Sequence, residues 1–211
     1  EQRLGFETFV GFSRGHNYFN SIYYRDTDQP YVSPRYEPDY QTDHLIEFME
    51  TSRQDHPDQP FFAMICYGPP HVPMVAPPYY LNLYRPDEVP VRANTPPDEE
   101  AEARAFLAKY YGLVSNVDHN VGRILDWLDY RKMAEDTMII FVSDHGDMAG
   151  EHGRYGKKTY FEASMHVPFI VRYPRLFAGG QIHNALVDPA VDTMPTILEL
   201  CGIPIPAAVQ G

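Results

Sequence analysis

Between residues 61 and 142 two continuous apolar runs flank one long amphipathic stretch, and few folds accept that order. Phe61-Phe62-Ala63-Met64-Ile65-Cys66-Tyr67 is an unbroken apolar run bounded by prolines, and Thr137-Met138-Ile139-Ile140-Phe141-Val142 is a second. Runs this short and this apolar read as strands buried on both faces. Between them, apolar side chains recur at helical spacing at Phe106, Tyr110, Leu113, Val117, Val121, Ile124, Leu125 and Leu128. Strand, long helix, strand is the βαβ order of a mostly parallel sheet flanked by helices. The expected fold class is α/β, as one unit over residues 1–211.

The rest of the chain fits around that frame. Residues 1–40 are rich in Gly, Asn, Asp and aromatics, which suggests turns joining short strands. Leu45, Ile46, Phe48 and Met49 give residues 39–53 one apolar helical face. Residues 68–97 form a proline-rich connection. Thr95-Pro96 reads as a cap and first helical residue, followed by Asp98, Glu99 and Glu100, where the helix dipole favours acids. Residues 167–171 are a third apolar run and 182–187 a fourth. Residues 192–201 read as a last helix, ended by Gly202 and Pro204.

Charge narrows the function. Asp+Glu number 29 against 17 Lys+Arg, a net charge of −12, so nucleic acid, which requires a basic face, is not the expected partner. No run reaches the ~18 apolar residues of a membrane span. Cys66 and Cys201 fit no metal or redox spacing, and Cys66 reads as a packed core thiol. Glu1 and Gly211 both look like cut ends rather than natural termini. The compartment is left open.

In an open α/β sheet, ligands gather at the carboxyl ends of the strands. Two such ends carry polar groups that packing does not require. One is Ser143-Asp144-His145-Gly146-Asp147, and the other is Gly68-Pro69-Pro70-His71-Val72-Pro73. A carboxylate and an imidazole side by side can reach one metal ion. Taken alone, an Asp-His-Gly turn serves equally well as a capped turn with a hydrogen-bonded histidine.

The residues that follow decide between these readings. Gly150-Glu151-His152-Gly153, Lys157, Tyr160-Phe161-Glu162 and His166-Val167-Pro168-Phe169-Ile170 come in that order. This stretch resembles the sulfatases of the alkaline-phosphatase superfamily, whose pattern is Ser-Asp-His/Asn-Gly, a Gly-rich turn, a Lys, an aromatic-Glu pair and Val-Pro-Leu/Phe-Ile. Pro69-Pro70-His71-Val72-Pro73 resembles the family's Pro-Pro-His-x-Pro loop. Asp192-Thr193-Met194-Pro195-Thr196-Ile197-Leu198 with Gly202 resembles its Asp-x-x-Pro-Thr-x-Leu helix. The likeness extends over nearly the whole chain and is most specific from 137 to 170.

Two parts of the family pattern are missing from these residues: a pair of adjacent Asp, and a Cys/Ser-x-Pro-x-Arg nucleophile matured to formylglycine. Cys66 does not supply the second, because Cys66-Tyr67-Gly68-Pro69-Pro70 lacks the Arg. The resemblance therefore implies the central part of a sulfatase catalytic domain, with an incomplete sheet and its formylglycine in a segment outside residues 1–211. It assigns Asp144 and His145 to a metal, Ca²⁺ or else Mg²⁺, Mn²⁺ or Zn²⁺. His71 and Lys157 fall to the sulfate oxygens and to catalysis, one of them protonating the leaving group, with all four in one pocket. The implied substrate is an aryl or carbohydrate sulfate ester.

His152 and His166 are expected to be structural, Lys158 to be a surface residue, and the loop of His16 and Asn17 to line a substrate subsite. Because Ca²⁺ prefers oxygen ligands, His145 keeps a second reading open, a metal-dependent phosphatase or phosphonate monoester hydrolase of the same superfamily. A third reading is a non-catalytic module that retains the fold. Family members are commonly secreted, periplasmic or lysosomal.

Overall fold

The computed structural model describes residues 5–12 and 15–211. The chain gathers into two compact units, one comprising residues up to 91 together with 98–130, the other 92–97 together with 131–211.

The first unit opens with an antiparallel meander of β1 (Val10–Phe12), β2 (Ile22–Arg25) and β3 (Pro30–Val32). Val10 pairs with Arg25 and Ile22 with Val32. This matches the short strands expected from the turn-rich N-terminal stretch. Helix α1 (Glu37–Asp55) follows, longer than the expected 39–53, and then the one-turn helix α2 (Pro78–Leu81). The longest element is α3 (Glu100–Tyr130). Its expected start at Thr95-Pro96 is not observed. Pro96 precedes Pro97, whose ring pushes the preceding residue out of helical geometry, so the helix cannot begin there.

Tyr18, Tyr36, Ala76 and Leu113 form the centre of this unit, with Met74, Val75, Tyr80 and Leu81 packed around them. Helix α3 comes very close to α2 at Gly112, where a Cβ would lie 2.4 Å from the Tyr80 carbonyl oxygen. Against α1 the seam of α3 is polar. Fully buried Asn116 and Asn120 each donate from Nδ2 to Asp39 Oδ1, at 3.1 and 2.8 Å. Arg123, one turn further along, pairs with Asp43. Buried amides satisfied in this way fix the register of two helices that apolar packing alone would let slide.

In the second unit β4 (Ile139–Val142) pairs with β5 (Phe169–Arg172), Ile139 opposite Arg172 and Val142 opposite Phe169. Between them lies the one-turn helix α4 (Glu162–Met165), and α5 (Pro189–Leu200) ends the unit. Asp188 caps α5 by accepting from Ala190 N at 2.9 Å, while Asp192 accepts from Asp188 N at 2.7 Å. Pro189 sits at the first helical position, where its missing N–H costs nothing. The helix therefore starts before the expected residue 192.

Several expectations need correction. The β4–β5 ladder is antiparallel, because the connection from 143 to 168 holds no crossover helix, only short helical turns, and returns the chain to the end of β4 where it left. Residues 61–67 form no strand and join no ladder among the described residues. They are not buried on both faces: Phe62 is 58% and Met64 66% exposed. Cys66 is exposed and is not a core thiol. Residues 182–187 form no strand, and Leu186 is wholly exposed. Among the described residues no helix is long and apolar enough to cross a membrane.

Glu37, at the start of α1, is fully buried. Its N–H donates to the Tyr18 carbonyl at 2.7 Å, and its Oε2 accepts from Ser21 Oγ at 2.5 Å. Its Oε1 meets no hydrogen-bond partner among the described residues. Burial pushes this carboxyl above its ordinary value, the Ser21 hydrogen bond opposing it. A carboxyl raised in the folded state contributes stability that is complete below its unfolded value and is lost as pH rises through the folded one. Urea unfolding of wild type and Glu37→Gln across pH should therefore show wild type losing stability relative to the variant as pH rises above the ordinary Glu range. Parallel curves would contradict this assignment.

Candidate active site

The chain leaves β4 at Val142 and turns sharply. Ser143 Oγ donates to the His145 carbonyl at 2.8 Å, and Asp144 Oδ1 accepts from His145 N at 3.0 Å. Gly146 makes the turn possible. Its N–H donates to the Ser164 carbonyl at 2.8 Å, and a Cβ there would lie only 2.0 Å from the Ala163 carbonyl oxygen. Real Cβ atoms do not come so close to backbone, so α4 can dock behind His145 only because residue 146 is glycine.

The docking leaves His145 in a defined state. Its Nδ1 lies 2.8 Å from the Gly146 carbonyl oxygen. A carbonyl can only accept, so the hydrogen-bond network assigns the proton to Nδ1 and the lone pair to Nε2. That lone pair faces Lys157 Nζ at 2.7 Å, with Asp144 Oδ2 3.4 Å away. The Asp144 side chain is 84% exposed and that of His145 31%, so both are open to a ligand. Three of the four predicted site residues are thus brought together.

Lys157 arrives at the end of a loop anchored by buried Met148, whose sulfur accepts from Thr159 Oγ1 at 3.3 Å. Gly150, with φ +95°, turns the loop, and its N–H donates to the Arg154 carbonyl at 2.8 Å. His152 is held from outside: its N–H donates to the Asn94 carbonyl at 3.1 Å, and its ring stacks on Phe161 with 4.3 Å between centroids. Its contacts are those of a structural histidine. His166 lies 2.6 Å from Glu162 on an exposed edge.

His71 belongs to the other compact unit. Its Nδ1 lies 2.7 Å from the Val72 carbonyl, which again assigns the ring proton to Nδ1 and leaves Nε2 available. Tyr18 Oη donates to the His71 carbonyl at 2.7 Å, and the ring stacks on His16 at 4.2 Å. Gly68 permits the loop, since a Cβ there would lie 2.6 Å from the Tyr18 ring. The His16 stack and the Asn94 clamp have no signal in spacing or composition, because each joins residues far apart in sequence through loops without periodicity.

The Sulfatase family pattern matches residues 1–203. The chain belongs to the sulfatase family. An ulvan-active sulfatase of Formosa agariphila is 31% identical over this whole chain, which spans 42% of that protein. An arylsulfatase of Clostridium perfringens is 32% identical over 78% of the chain and 39% of its own length. The chain thus spans about two fifths of these relatives. Among solved structures, yidJ of Bacteroides fragilis superposes with a TM-score of 0.90 at 27% identity, covering 99% of this chain and 47% of that one. A phosphonate monoester hydrolase of Silicibacter pomeroyi superposes at 0.66 with 29% identity over 81% of this chain and 39% of that one. The fold is accordingly the α/β sulfatase fold expected from the sequence.

Asp144 and His145 give this sulfatase chain a carboxylate and an unprotonated imidazole nitrogen side by side, a donor set that fits the edge of a divalent cation site. A histidine that gives its other ring proton to a backbone carbonyl is oriented as metal-ligating histidines usually are. Among the described residues no group of three or more His, Cys, Asp or Glu side chains stands ready to hold a metal.

Gly146→Ala should disrupt this turn with no chemical group of the site removed. Its Cβ would have to displace the α4 backbone, and overpacking of this kind costs about 1–3 kcal/mol. The expected result is a lower unfolding midpoint, measured by denaturation of the full-length protein. A variant with wild-type stability would contradict the close approach.

Proposed function

We propose that the protein containing this chain hydrolyses sulfate monoesters of aryl or carbohydrate alcohols. The observation that carries this reading is the convergence of Asp144, His145 and Lys157 in one loop after β4, in a chain of the sulfatase family. The names of an ulvan-active sulfatase and an arylsulfatase among the relatives support both substrate classes.

Sulfate transfer needs a nucleophile on sulfur, positive charge on the non-bridging oxygens, and a proton for the leaving oxygen. Asp144 and His145 would hold a divalent metal, Ca²⁺ in the first instance and otherwise Mg²⁺, Mn²⁺ or Zn²⁺. When bound, it supplies positive charge at the sulfate. Lys157 would present its ammonium to a sulfate oxygen, giving up its contact with His145 Nε2, whose single lone pair would be the metal's ligand. His71, whose Nδ1–H donates to the Val72 carbonyl, would serve as an imidazolium, its Nε2–H donating to a sulfate oxygen or passing to the leaving oxygen. The nucleophile is a formylglycine in a segment outside residues 1–211, so this chain by itself is expected to turn over no sulfate ester.

One observation favours a second reading. The imidazole of His145 suits Zn²⁺ or Mn²⁺ better than Ca²⁺, and a phosphonate monoester hydrolase superposes on most of the chain. The two readings separate in one assay of the full-length protein matured to formylglycine, offered aryl sulfate and aryl phosphonate monoesters in parallel. The sulfatase reading predicts higher kcat/KM on the sulfate. It also predicts a loss of about 10²–10³-fold for Lys157→Ala and about 10²–10⁴-fold for His71→Ala. Preference for the phosphonate, or full sulfate activity in Lys157→Ala, would overturn it.

A further inference from the structure

The loop that delivers Lys157 closes on one side chain. Asp147 Oδ1 accepts two backbone hydrogen bonds, from Ala149 N at 2.9 Å and from Gly156 N at 3.0 Å. The first fixes the turn immediately after the Asp-His-Gly corner. The second reaches across the loop to the residue preceding Lys157. Beside it, Met148 N donates to the Gly156 carbonyl at 2.9 Å, so both backbone polar groups of Gly156 are tied to the 147–148 segment. Gly156 has φ +75°, a conformation that glycine adopts without the penalty other residues carry, and the loop backbone is held in it from both sides.

We infer that Asp147 is a positioning residue for catalysis: its carboxylate oxygen pins Gly156 N and so fixes the Lys157 backbone beside His145. This rests on the role proposed above for Lys157. The arrangement is economical in distance. Asp147 lies two residues after His145 and Gly156 one before Lys157, so a single oxygen couples the backbone bearing the imidazole to the backbone bearing the ammonium. Lysine has a long flexible stem, and without a fixed Cα its ammonium samples many positions. Displacing a catalytic group by about 1 Å costs on the order of a hundredfold in rate. Asp147 itself touches neither Lys157 Nζ nor His145 Nε2 and takes no part in proton transfer. Its function requires an acceptor oxygen at that point and no charge.

That distinction sets the test, made on the full-length matured protein with an aryl sulfate. Asp147→Asn keeps Oδ1 as an acceptor, and kcat should stay near wild type. Asp147→Glu keeps the charge but moves the oxygen by a methylene, and kcat should fall by about a hundredfold with KM changed much less. In a double-mutant cycle, Asp147→Ala should lower kcat strongly in the wild-type background and little further when added to Lys157→Ala, because both changes remove the same ammonium. If Asp147→Ala does not fold, the Asn and Glu variants still decide the matter. An inactive Asn variant, a fully active Glu variant, or losses that add fully in the cycle would overturn the inference. Full activity of Lys157→Ala alone would instead overturn the role given to the lysine.

Discussion

His145 donates its Nδ1 proton to the carbonyl of the next residue, and everything at the β4 end follows from where that leaves Nε2. The unprotonated nitrogen lies 2.7 Å from Lys157 Nζ and 3.4 Å from Asp144 Oδ2. An anionic oxygen, a neutral lone pair and an ammonium thus lie within one hydrogen-bonded cluster. The first two favour a cation and the third an anion, a combination that suits a metal and an oxyanion bound side by side. The Gly146 corner maintains it, since the Ala163 and Ser164 backbone occupies the space a side chain would take.

The His71 loop reaches a similar end by different means. Its imidazole is oriented by the neighbouring Val72 carbonyl and by the stack on His16, and its backbone by the buried Tyr18 hydroxyl. Tyr18 in turn packs in the core formed with Tyr36 and Leu113. A basic side chain on a loop is thus tied through one tyrosine to the helix-packed centre of its unit. Glu37 shares that centre, buried beside Tyr18 and Gly68, and gives the loop a floor sensitive to pH.

Helix α3 and strand β4 were legible because periodicity records which face is buried, and both elements appear close to where their apolar spacing put them. Strand direction is not recorded in apolar content, so the antiparallel β4–β5 pairing was not legible. Neither was the exposure of Phe62, Met64 and Cys66, since burial depends on neighbours rather than on the run itself. The late start of α3 was readable in principle, because Pro97 excludes Pro96 from a helix. Asp144, His145 and Lys157, which the fold brings together, are singled out by the order and spacing of a family pattern. The hydrogen bonds that set their geometry are not. Asp147, His16 and Asn94 act through backbone carbonyls, amides and ring faces, and no residue pattern encodes those partners.

The central claim is that Asp144 and His145 form one edge of a metal site, with Lys157 beside it. A crystal of the full-length matured protein, grown with Mn²⁺ and a sulfate ester analogue and measured at the metal absorption edge, tests this most directly. The account predicts an anomalous peak within bonding distance of an Asp144 carboxylate oxygen and His145 Nε2, with Lys157 Nζ on a sulfate oxygen. A metal peak elsewhere in the protein, with Asp144 and His145 unligated, would contradict it.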